Sequence, residues 1–298
     1  MLWLISIPLL ILIWATLIER FWFAVKRSTI PVLPKGSQSI TVLHISDIHM
    51  APWQRAKQRW LATLAERINP DLVVDTGDNL GHRDAIEPVL NSLKALKKPG
   101  VFVNGSNDIY APVLTNPFSY LLHPSKRHRD NNPKNRLDVA KLNQGFKDLG
   151  WTELNNASAL VEVKGLRIKF VGTDDPHESR ADLAKVSAAA KQIKGADLVI
   201  GVTHAPYLAV LDGLADLEAE LIFAGHTHGG QVCWPFIGRA LVTNCDLPTK
   251  YARGTHQLTT KDKTYWLNVC AGLGNSIFAP VRFACRPEVR VVTLTAVS

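Results

Sequence analysis

The sequence lacks the signatures of several common classes of protein. It has only four cysteines in 298 residues and no Cys-x-x-Cys pair, so neither a zinc ribbon nor a thioredoxin-like motif is expected. It contains no internal repeat, no coiled-coil heptads and no low-complexity tract. No stretch interleaves stacking aromatic residues with basic ones, so we expect no nucleic acid among its partners.

The four cysteines all lie in the C-terminal part of the chain: Cys233, Cys245, Cys270 and Cys285. Two disulfides are one interpretation, and it requires an extracellular domain. Buried free thiols are the other interpretation. We favour free thiols, because the topology predicted from the N-terminus places the domain inside the cell.

The composition is that of an ordinary globular protein. Apolar residues make up 46% of the chain and charged residues 20%, which is enough for one large α/β domain or two modest ones. The net charge of +8 favours anionic partners, such as phosphorylated substrates or anionic lipid headgroups. A solvated basic surface without a specific partner is the alternative.

The N-terminus carries the longest apolar run of the chain. Residues 2–18 include no charge, and a run of this length is at the short end of what spans a bilayer. No positive charge precedes it in the sequence, so a cleaved signal peptide fits less well. We therefore predict a transmembrane anchor over residues 1–27. Arg20, Lys26 and Arg27 follow the apolar run, and the positive-inside rule then places the remainder of the chain in the cytoplasm, at the cell membrane.

A linker and a single large domain are predicted after the anchor. Residues 28–38 contain two prolines and a Gly-Ser pair, which is typical of a linker. Residues 39–298 alternate short apolar runs with helical patterns, as in a largely parallel, buried sheet. Residues 111–137 interrupt this alternation. They are rich in proline, asparagine and basic residues, and we interpret them as an inserted loop or cap that either binds an anionic group or is simply solvated.

Five short polar patterns each follow an apolar strand. They are Asp47-Ile48-His49, Gly77-Asp78-Asn79, Gly105-Ser106-Asn107-Asp108, Thr203-His204-Ala205-Pro206 and Gly225-His226-Thr227-His228-Gly229-Gly230. Parallel strands end at one edge of a sheet, so these side chains are expected to converge there. Two aspartates and four histidines brought together without compensation would be costly. Divalent metal ions compensate naturally, because carboxylate and imidazole both suit Mn, Fe or Zn.

This ordered set resembles the calcineurin-like metallophosphoesterase family. The resemblance covers about residues 39–298, and the run from Gly225 to Gln231 is its most specific part. It implies a four-layer α/β/β/α sandwich, with the metal site at one edge of the paired sheets. The N-terminal apolar run and the Gly-Gly-Gln extension make the chain similar to the membrane-associated branch of that family, which contains phosphodiesterases and a UDP-diacylglucosamine pyrophosphatase.

The resemblance also implies two divalent ions and their ligands. Asp47, His49 and His228 would ligate the first metal, His204 and His226 the second, and the carboxylate of Asp78 would bridge them. Two such ions can clamp both the attacking and the leaving oxygen of an in-line displacement. The expected nucleophile is a hydroxide that bridges the two metals.

The third motif departs from the family pattern of Gly-Asn-His-Asp. Ser106 stands where an asparagine normally ligates the second metal, and Asn107 where a catalytic histidine normally acts on the leaving group. Either Asn107 becomes the ligand, or Ser106 leaves the second metal more weakly held. Asparagine has no titratable proton, so the general acid is unassigned. His123, His128 and His177 are the candidates from nearby loops.

The sequence therefore predicts a membrane-anchored, metal-dependent enzyme. It would hydrolyse a phosphoester or pyrophosphate bond, and a lipid-linked substrate is favoured because the anchor keeps the site near a membrane. One alternative is a phosphodiesterase for nucleotides or other soluble substrates that is merely tethered. A second alternative is a non-catalytic metal-binding membrane protein, for which the altered third motif would be the signature.

Overall fold

Two six-stranded sheets, packed face to face, form the centre of the fold. The structure is a computed structural model that describes residues 3–112, 133–260, 263–275 and 279–297. The apolar runs of the sequence become the central strands, because a strand covered on both faces has to be apolar throughout.

The first sheet has the strand order β1-β12-β2-β3-β4-β5. Its strands are β1 (Ala24–Leu33), β2 (Ile40–Ile45), β3 (Leu72–Asp75), β4 (Gly100–Phe102), β5 (Trp151–Glu153) and β12 (Glu288–Ala296). The four strands from β2 to β5 are parallel, whereas β12 is antiparallel to β2 and parallel to β1. Strands β2, β3 and β4 therefore present their C-terminal ends at the same edge.

The second sheet has the order β10-β11-β9-β8-β7-β6. Its strands are β6 (Ala157–Val163), β7 (Leu166–Gly172), β8 (Leu198–Val202), β9 (Leu221–Ala224), β10 (Gly254–Thr260) and β11 (Lys263–Val269). The four central strands, β7, β8, β9 and β11, are parallel, and antiparallel β6 and β10 form the two edges. Both sheets are thus mixed, with parallel centres.

Helices cover the outer faces of the two sheets. The described α-helices are α1 (Trp3–Ile13), α2 (Arg55–Ala62), α3 (Leu64–Ile68), α4 (Ile86–Leu93), α5 (Ser106–Ile109), α6 (Val139–Asp148), α7 (Leu183–Lys191) and α8 (Leu208–Asp216). Apolar side chains of α2, α3, α4 and α6 pack on the first sheet. Those of α7 and α8 pack on the second.

The core between the sheets explains the layering. Val74 of β3 and Phe223 of β9 belong to one buried cluster made by the inner faces of both sheets. Neighbouring residues such as Val73 and Ile222 face outward, into the clusters beneath the helices. Successive strand residues point to opposite faces, so an apolar strand supplies two cores at once. The layers run helix, sheet, sheet, helix, in agreement with the α/β/β/α arrangement expected from the sequence.

The predicted membrane anchor over residues 1–27 is wrong. In the part of the chain that the structure describes, no helix has both the length and the apolar character needed to cross a bilayer. Helix α1 ends at Ile13, and a π-helical turn (Trp14–Ile18) and a 3-10 turn (Glu19–Phe21) follow it. The orientation inferred from Arg20, Lys26 and Arg27 loses its basis together with the anchor.

The predicted linker over residues 28–38 is also wrong in its first half. Ala24–Leu33 form strand β1, which pairs in parallel with β12. Pro31 is tolerated because β1 is an edge strand, where a missing backbone N–H costs little. The domain predicted to begin at residue 39 therefore includes β1 as well.

The predicted insertion over residues 111–137 lies mostly outside the described residues, which stop at 112 and resume at 133. Its two ends are paired with each other. The backbone N–H of Ala111 donates to the carbonyl of Asn135, and that of Leu137 donates to the carbonyl of Ile109. The segment thus leaves and rejoins the domain at one point, beside α5.

Truncating Ile30 should destabilise the whole domain. Its side chain in β1 is completely buried in the core between the sheets, so Ile30→Ala should lower the free energy of unfolding by about 2–5 kcal/mol. The matched control is Thr29→Ala at the neighbouring exposed position, which should change it by less than about 0.5 kcal/mol. Urea unfolding measures both. Equal, small effects would mean that β1 is not part of the domain.

Candidate metal centre

The predicted site residues meet where the C-terminal edges of the two sheets face each other. Asp47 and His49 follow β2, and Asp78 follows β3. From the second sheet, His204 follows β8, while His226 and His228 follow β9. All are buried except His228, which is partly exposed. The structure thus brings together the six residues that the sequence predicted to converge.

The backbone at these positions is unusual. Five of the six residues have a positive φ: Asp47 (45°), His49 (41°), Asp78 (57°), His226 (66°) and His228 (50°). For residues with a Cβ, this left-handed conformation costs about 1–2 kcal/mol each. Such strain persists only where the surrounding structure over-determines it, and it concentrates at functional sites.

Asp47 is held so that one carboxylate oxygen faces the site. Its Oδ2 accepts hydrogen bonds from the hydroxyl of Ser46, at 2.5 Å, and from the backbone N–H of His226, at 2.9 Å. Its Oδ1 is buried without a hydrogen-bond partner among the described residues and lies 3.7 Å from Nε2 of His228. The free oxygen therefore points at the neighbouring imidazole.

Asp78 stands between two groups of site residues. Asp47, His49 and His228 form what we call the first half of the site, and His204 and His226 form the second half. The same oxygen, Oδ2, lies 3.5 Å from Nε2 of His49 and 3.6 Å from Nε2 of His204. Asn107 contacts the same carboxylate, with its backbone N–H donating to Oδ1 at 2.8 Å and its side-chain amide donating to Oδ2 at 2.7 Å. One carboxylate thus faces both groups of imidazoles.

The two histidines of the second half are also oriented by the backbone. Nδ1 of His204 donates to the carbonyl of Thr76 at 2.7 Å, which leaves its Nε2 free to face Asp78. Nδ1 of His226 lies 3.3 Å from that Nε2, and its own Nε2 lies 3.2 Å from the carbonyl of Asn244. In each ring, contact with the protein at one nitrogen leaves the other directed into the site.

Two glycines allow the loops to approach this closely. A Cβ on Gly105 would collide with the carboxylate of Asp78 and the ring of His204. A Cβ on Gly225 would collide with the hydroxyl of Ser46 and the carboxylate of Asp47. Both positions are therefore restricted to glycine by space alone.

Two further buried carboxylates support the loops, and the sequence analysis assigned them no role. Asp108 accepts from the backbone N–H groups of Asp78, Asn79 and Gly105. Asp75 accepts from the backbone N–H of Gly77. Burial raises the pKa of Asp75 to about 8 and that of Asp108 to about 7. The acidic residue that closes the third motif was the only sequence signal for this role.

The ionisation of the site is strongly coupled. Burial raises the pKa of Asp47 to about 6, against the opposing charge of His204. Burial would likewise raise the pKa of Asp78, but His204, His49 and the hydrogen bonds from Asn107 outweigh it and hold that pKa well below its usual range. For His204, the charges of Asp78, Asp175 and Asp47 outweigh burial and raise its pKa to about 9. A protonated His204 thus compensates part of the negative charge of the surrounding carboxylates.

The other three histidines are neutral. Burial is the largest cause in each case. It lowers the pKa of His49 to about 4, and it lowers the pKa values of His226 and His228 well below the ordinary value. A neutral imidazole is the form that ligates a metal.

The donor set fits divalent metal ions. One oxygen or nitrogen from each of Asp47, His49 and His228 lies within 4.8 Å of the others, and so does one from each of Asp47, Asp78 and His204. Oδ1 of Asp47 and both ring nitrogens of His49 are buried and lack hydrogen-bond partners in the described chain. Buried polar atoms without a hydrogen-bond partner are costly. A metal ion bound to these atoms would remove that cost.

The structure places the residues of the third motif around Asp78, and the choice between Ser106 and Asn107 as a ligand stays a prediction. Ser106 is the partly exposed first residue of α5, whereas the amide of Asn107 contacts Asp78 directly. Among the candidates for the general acid, His177 lies beside the site. Its ring centroid is 4.5 Å from that of His226, and its Nδ1 is 3.0 Å from the hydroxyl of Tyr207. His123 and His128 lie outside the described residues.

Two buried basic side chains at the site, those of Lys57 and Arg282, were not predicted from the sequence. Nζ of Lys57 donates to the carbonyl of Ile48 at 2.7 Å, and burial lowers its pKa to about 7. The guanidinium of Arg282 donates to the carbonyl of His228 at 3.0 Å. Neither belongs to a recognisable motif, and Arg282 lies more than 50 residues beyond the last one, so no local pattern signals them.

Comparison with known proteins agrees with this geometry. The family model described as calcineurin-like phosphoesterase matches residues 40–230, a range that contains all six clustered residues. The match covers more than half of the chain.

Relatives are found in bacteria and in animals. The chain is 25% identical to an uncharacterised metallophosphoesterase, YkoQ, of Bacillus subtilis, over 89% of this chain and 88% of that protein. It is 26% identical to a transmembrane protein with a metallophosphoesterase domain from Danio rerio, over 89% of this chain but only 56% of that protein. Among solved structures, it is similar to a phosphopantetheinyl hydrolase from Mycobacterium tuberculosis, with a TM-score of 0.44 and 10% identity, over 85% of this chain and 96% of that chain.

Metal affinity should increase with pH. The raised pKa of His204, about 9, means that the apo protein holds a proton on this ring at neutral pH, and a metal bound at Nε2 has to displace it. The affinity for Mn²⁺ should therefore rise roughly tenfold per pH unit up to about pH 9 for one displaced proton. Below about pH 6, Asp47 contributes a second proton. Chelator competition at several pH values measures this dependence.

The variant Asp175→Asn provides a control for the assignment to His204. Asp175 is one of the charges that raise the pKa of His204, so removing its charge should move the upper limit of the pH dependence to lower pH. An affinity that does not change with pH in the unmodified protein would contradict the prediction.

Proposed function

The chain belongs to the calcineurin-like phosphoesterase family and is a hydrolase acting on phosphoesters, and from this premise we propose how its site works. We propose that Asp47, His49 and His228 hold one divalent ion, that His204 and His226 hold a second, and that Asp78 bridges the two. Mn, Fe and Zn all suit this mixture of carboxylate and imidazole.

The position of Asp78 is the observation that carries the proposal. Its Oδ2 is almost equidistant from a histidine of each half, at 3.5 Å from His49 and 3.6 Å from His204. A purely structural carboxylate would not need to face two imidazoles, one of which is neutral. A bridging ligand has to face both, so its geometry is accounted for by two ions.

The protein's own groups provide orientation. Thr76 directs His204, and Ser46 together with the backbone of His226 directs Asp47. Lewis-acid stabilisation of the attacking and leaving oxygens of an in-line displacement is the chemistry that a bound metal pair supplies. The donors are fixed before any ion or substrate arrives, so little reorganisation is needed during the reaction.

The third motif supports a proposal for the substrate class. Asn107 occupies the position of the leaving-group histidine and cannot supply a proton. We propose a preference for leaving groups that are stable as anions, as in phosphoanhydrides or esters of acidic alcohols. The expectation of a lipid-linked substrate depended on the membrane anchor, and nothing in the described residues supports it now. Nucleotides and other soluble phosphate compounds are equally compatible with the site.

Removing a ligand should abolish metal-dependent hydrolysis. His228→Ala should lower the metal content from about two ions per chain to about one, as measured by elemental analysis. It should also reduce kcat/KM for an aryl phosphodiester. The loss should exceed the roughly 10- to 100-fold that is typical when a residue hydrogen-bonded to a metal ligand is substituted. Asp47→Asn, which preserves the side-chain shape, should have a similar effect.

The control for these variants is His256→Ala. His256 lies in β10, and its ring donates a hydrogen bond to the carbonyl of Arg253. None of the six clustered residues is its hydrogen-bond partner, so His256→Ala should leave metal content and rate unchanged. Activity that survives both ligand substitutions would reject the site assignment. Two bound metals without hydrolysis of any phosphate compound would instead favour a non-catalytic metal-binding protein.

The rate should depend steeply on the leaving group. A histidine general acid contributes about 10²–10⁴-fold when a leaving group needs a proton. Without one, the hydrolysis rate of a series of phosphodiesters should fall steeply as the pKa of the leaving group rises. Asn107→His should flatten this slope, because the new imidazole can protonate poor leaving groups.

A shallow slope in the unmodified protein would contradict that prediction. It would mean that another residue already supplies the proton, and His177, whose ring lies beside that of His226, is then the first residue to examine. The variant His177→Ala should in that case steepen the slope, whereas it should leave a slope that is already steep unchanged.

A further inference from the structure

Arg282 is the largest completely buried side chain of the described chain. Its Nη1 donates to the carbonyl of His228 at 3.0 Å. Its Nη2 lies 3.5 Å from Nδ1 of His228, and it contacts the carbonyls of Ala271 at 2.8 Å, Gly272 at 3.3 Å, and Gly274. All these acceptors belong to two loops at the edge that carries the site.

A buried cation of this kind needs an explanation. No ion pair joins Arg282 to a carboxylate of the described residues, and its Nε is buried without a partner there. Among these residues, the one acidic group beside it is the thiol of Cys285, whose Sγ lies 3.7 Å from Nη1. Burying a charge is costly unless hydrogen bonds and an opposite charge compensate it. A methionine or leucine would fill the same volume at lower cost, so the carbonyl contacts are what accounts for an arginine here.

The contacted loops are those that hold the first half of the site. The backbone N–H of Gly274 donates to the carbonyl of Asp47 at 2.7 Å, and that of Leu273 lies 3.2 Å from the same carbonyl. Arg282 therefore connects two loops that both follow strands of the second sheet: His228 after β9, and residues 271–274 after β11. The second of these loops in turn holds the carbonyl of Asp47, which follows β2 of the first sheet.

The contact with His228 also limits two freedoms of that residue. His228 has a φ of 50°. This left-handed conformation is strained, so it persists only if the surrounding structure holds the backbone, here at the carbonyl. Its ring can rotate unless one face or nitrogen is occupied. The guanidinium meets both conditions, with one nitrogen on the carbonyl and the other beside Nδ1, and the planar fork of arginine suits such a double contact.

We propose that Arg282 is a positioning residue of the metal centre. It holds His228 so that Nε2 faces Oδ1 of Asp47, 3.7 Å away. Through residues 271–274, which bond the carbonyl of Asp47, it also keeps Asp47 and His228 at the spacing that one ion requires. This proposal rests on the proposed function in one respect only, namely that His228 and Asp47 ligate a metal.

A merely structural arginine is the competing explanation, and the chain offers a matched control. Arg253 is partly buried and also donates to two carbonyls, those of Gly238 at 3.1 Å and Ala284 at 3.2 Å. Its hydrogen bonds reach the loop that carries Arg282, at Ala284, but none of them goes to the six clustered residues. Loss of packing should affect both arginines alike, whereas loss of positioning should affect only Arg282.

The test compares Arg282→Gln, Arg282→Lys and Arg253→Gln in the full chain. Binding of Mn²⁺ is measured by calorimetry, the coordination of Co²⁺ by its absorption spectrum, and folding by circular dichroism during thermal unfolding of the apo protein. Arg282→Gln should weaken one of the two metals by about 10- to 100-fold and change the Co²⁺ spectrum. Arg282→Lys should lie between it and the unmodified protein, and Arg253→Gln should bind both metals normally.

Each outcome decides the matter. Normal affinity for both metals in Arg282→Gln would overturn the proposal, and so would an equal loss in Arg253→Gln. If Arg282→Gln does not fold, Arg282→Lys carries the test, because it keeps the charge but loses the fork. Unmodified protein that binds no metal would instead refute the proposed function, and it would do so without any reference to Arg282.

Discussion

Two carboxylates and four imidazoles share one buried edge of this fold, and the repulsion and lost hydration of these groups are the constraint on which the rest of the structure depends. Asp47 and Asp78 are both completely or almost completely buried, so their charge has to be balanced locally. A proton on His204 balances part of it in the apo protein. The proposed metal pair would balance the remainder, which explains why the site tolerates so many desolvated donors.

The loops are built to direct one atom of each donor inward. Asp47 gives one oxygen to Ser46 and the backbone, and His204 gives one nitrogen to Thr76. The left-handed backbone at five of the six positions follows from the same requirement, because a sharp turn directly after a strand is needed to aim the side chain back over the sheet edge. Hydrogen bonds to Asp108 and contacts from Lys57 and Arg282 then hold the turns.

The N-terminal segment is part of this arrangement. The buried carboxylate of Glu19 accepts from the backbone N–H groups of Ala284, at 3.1 Å, and Cys285, at 2.7 Å. The carbonyl of Ala15 accepts from the N–H of Arg282 at 3.0 Å. The segment that resembled a remote anchor therefore packs against the loop that carries Arg282, directly behind His228. All four cysteines are buried and free, as the interpretation favoured from the sequence had it.

The sequence by itself determined the family, the alternation of strands and helices, and the six residues that converge, because apolar runs end where polar patterns begin and parallel strands share an edge. It could not show that Ala24–Leu33 form an edge strand, since proline and basic residues suit an exposed strand as well as a linker. It also gave no sign of Arg282 or of the position of His177. Contacts between distant segments leave no local pattern, so only the tertiary structure decided which groups hold the site in place.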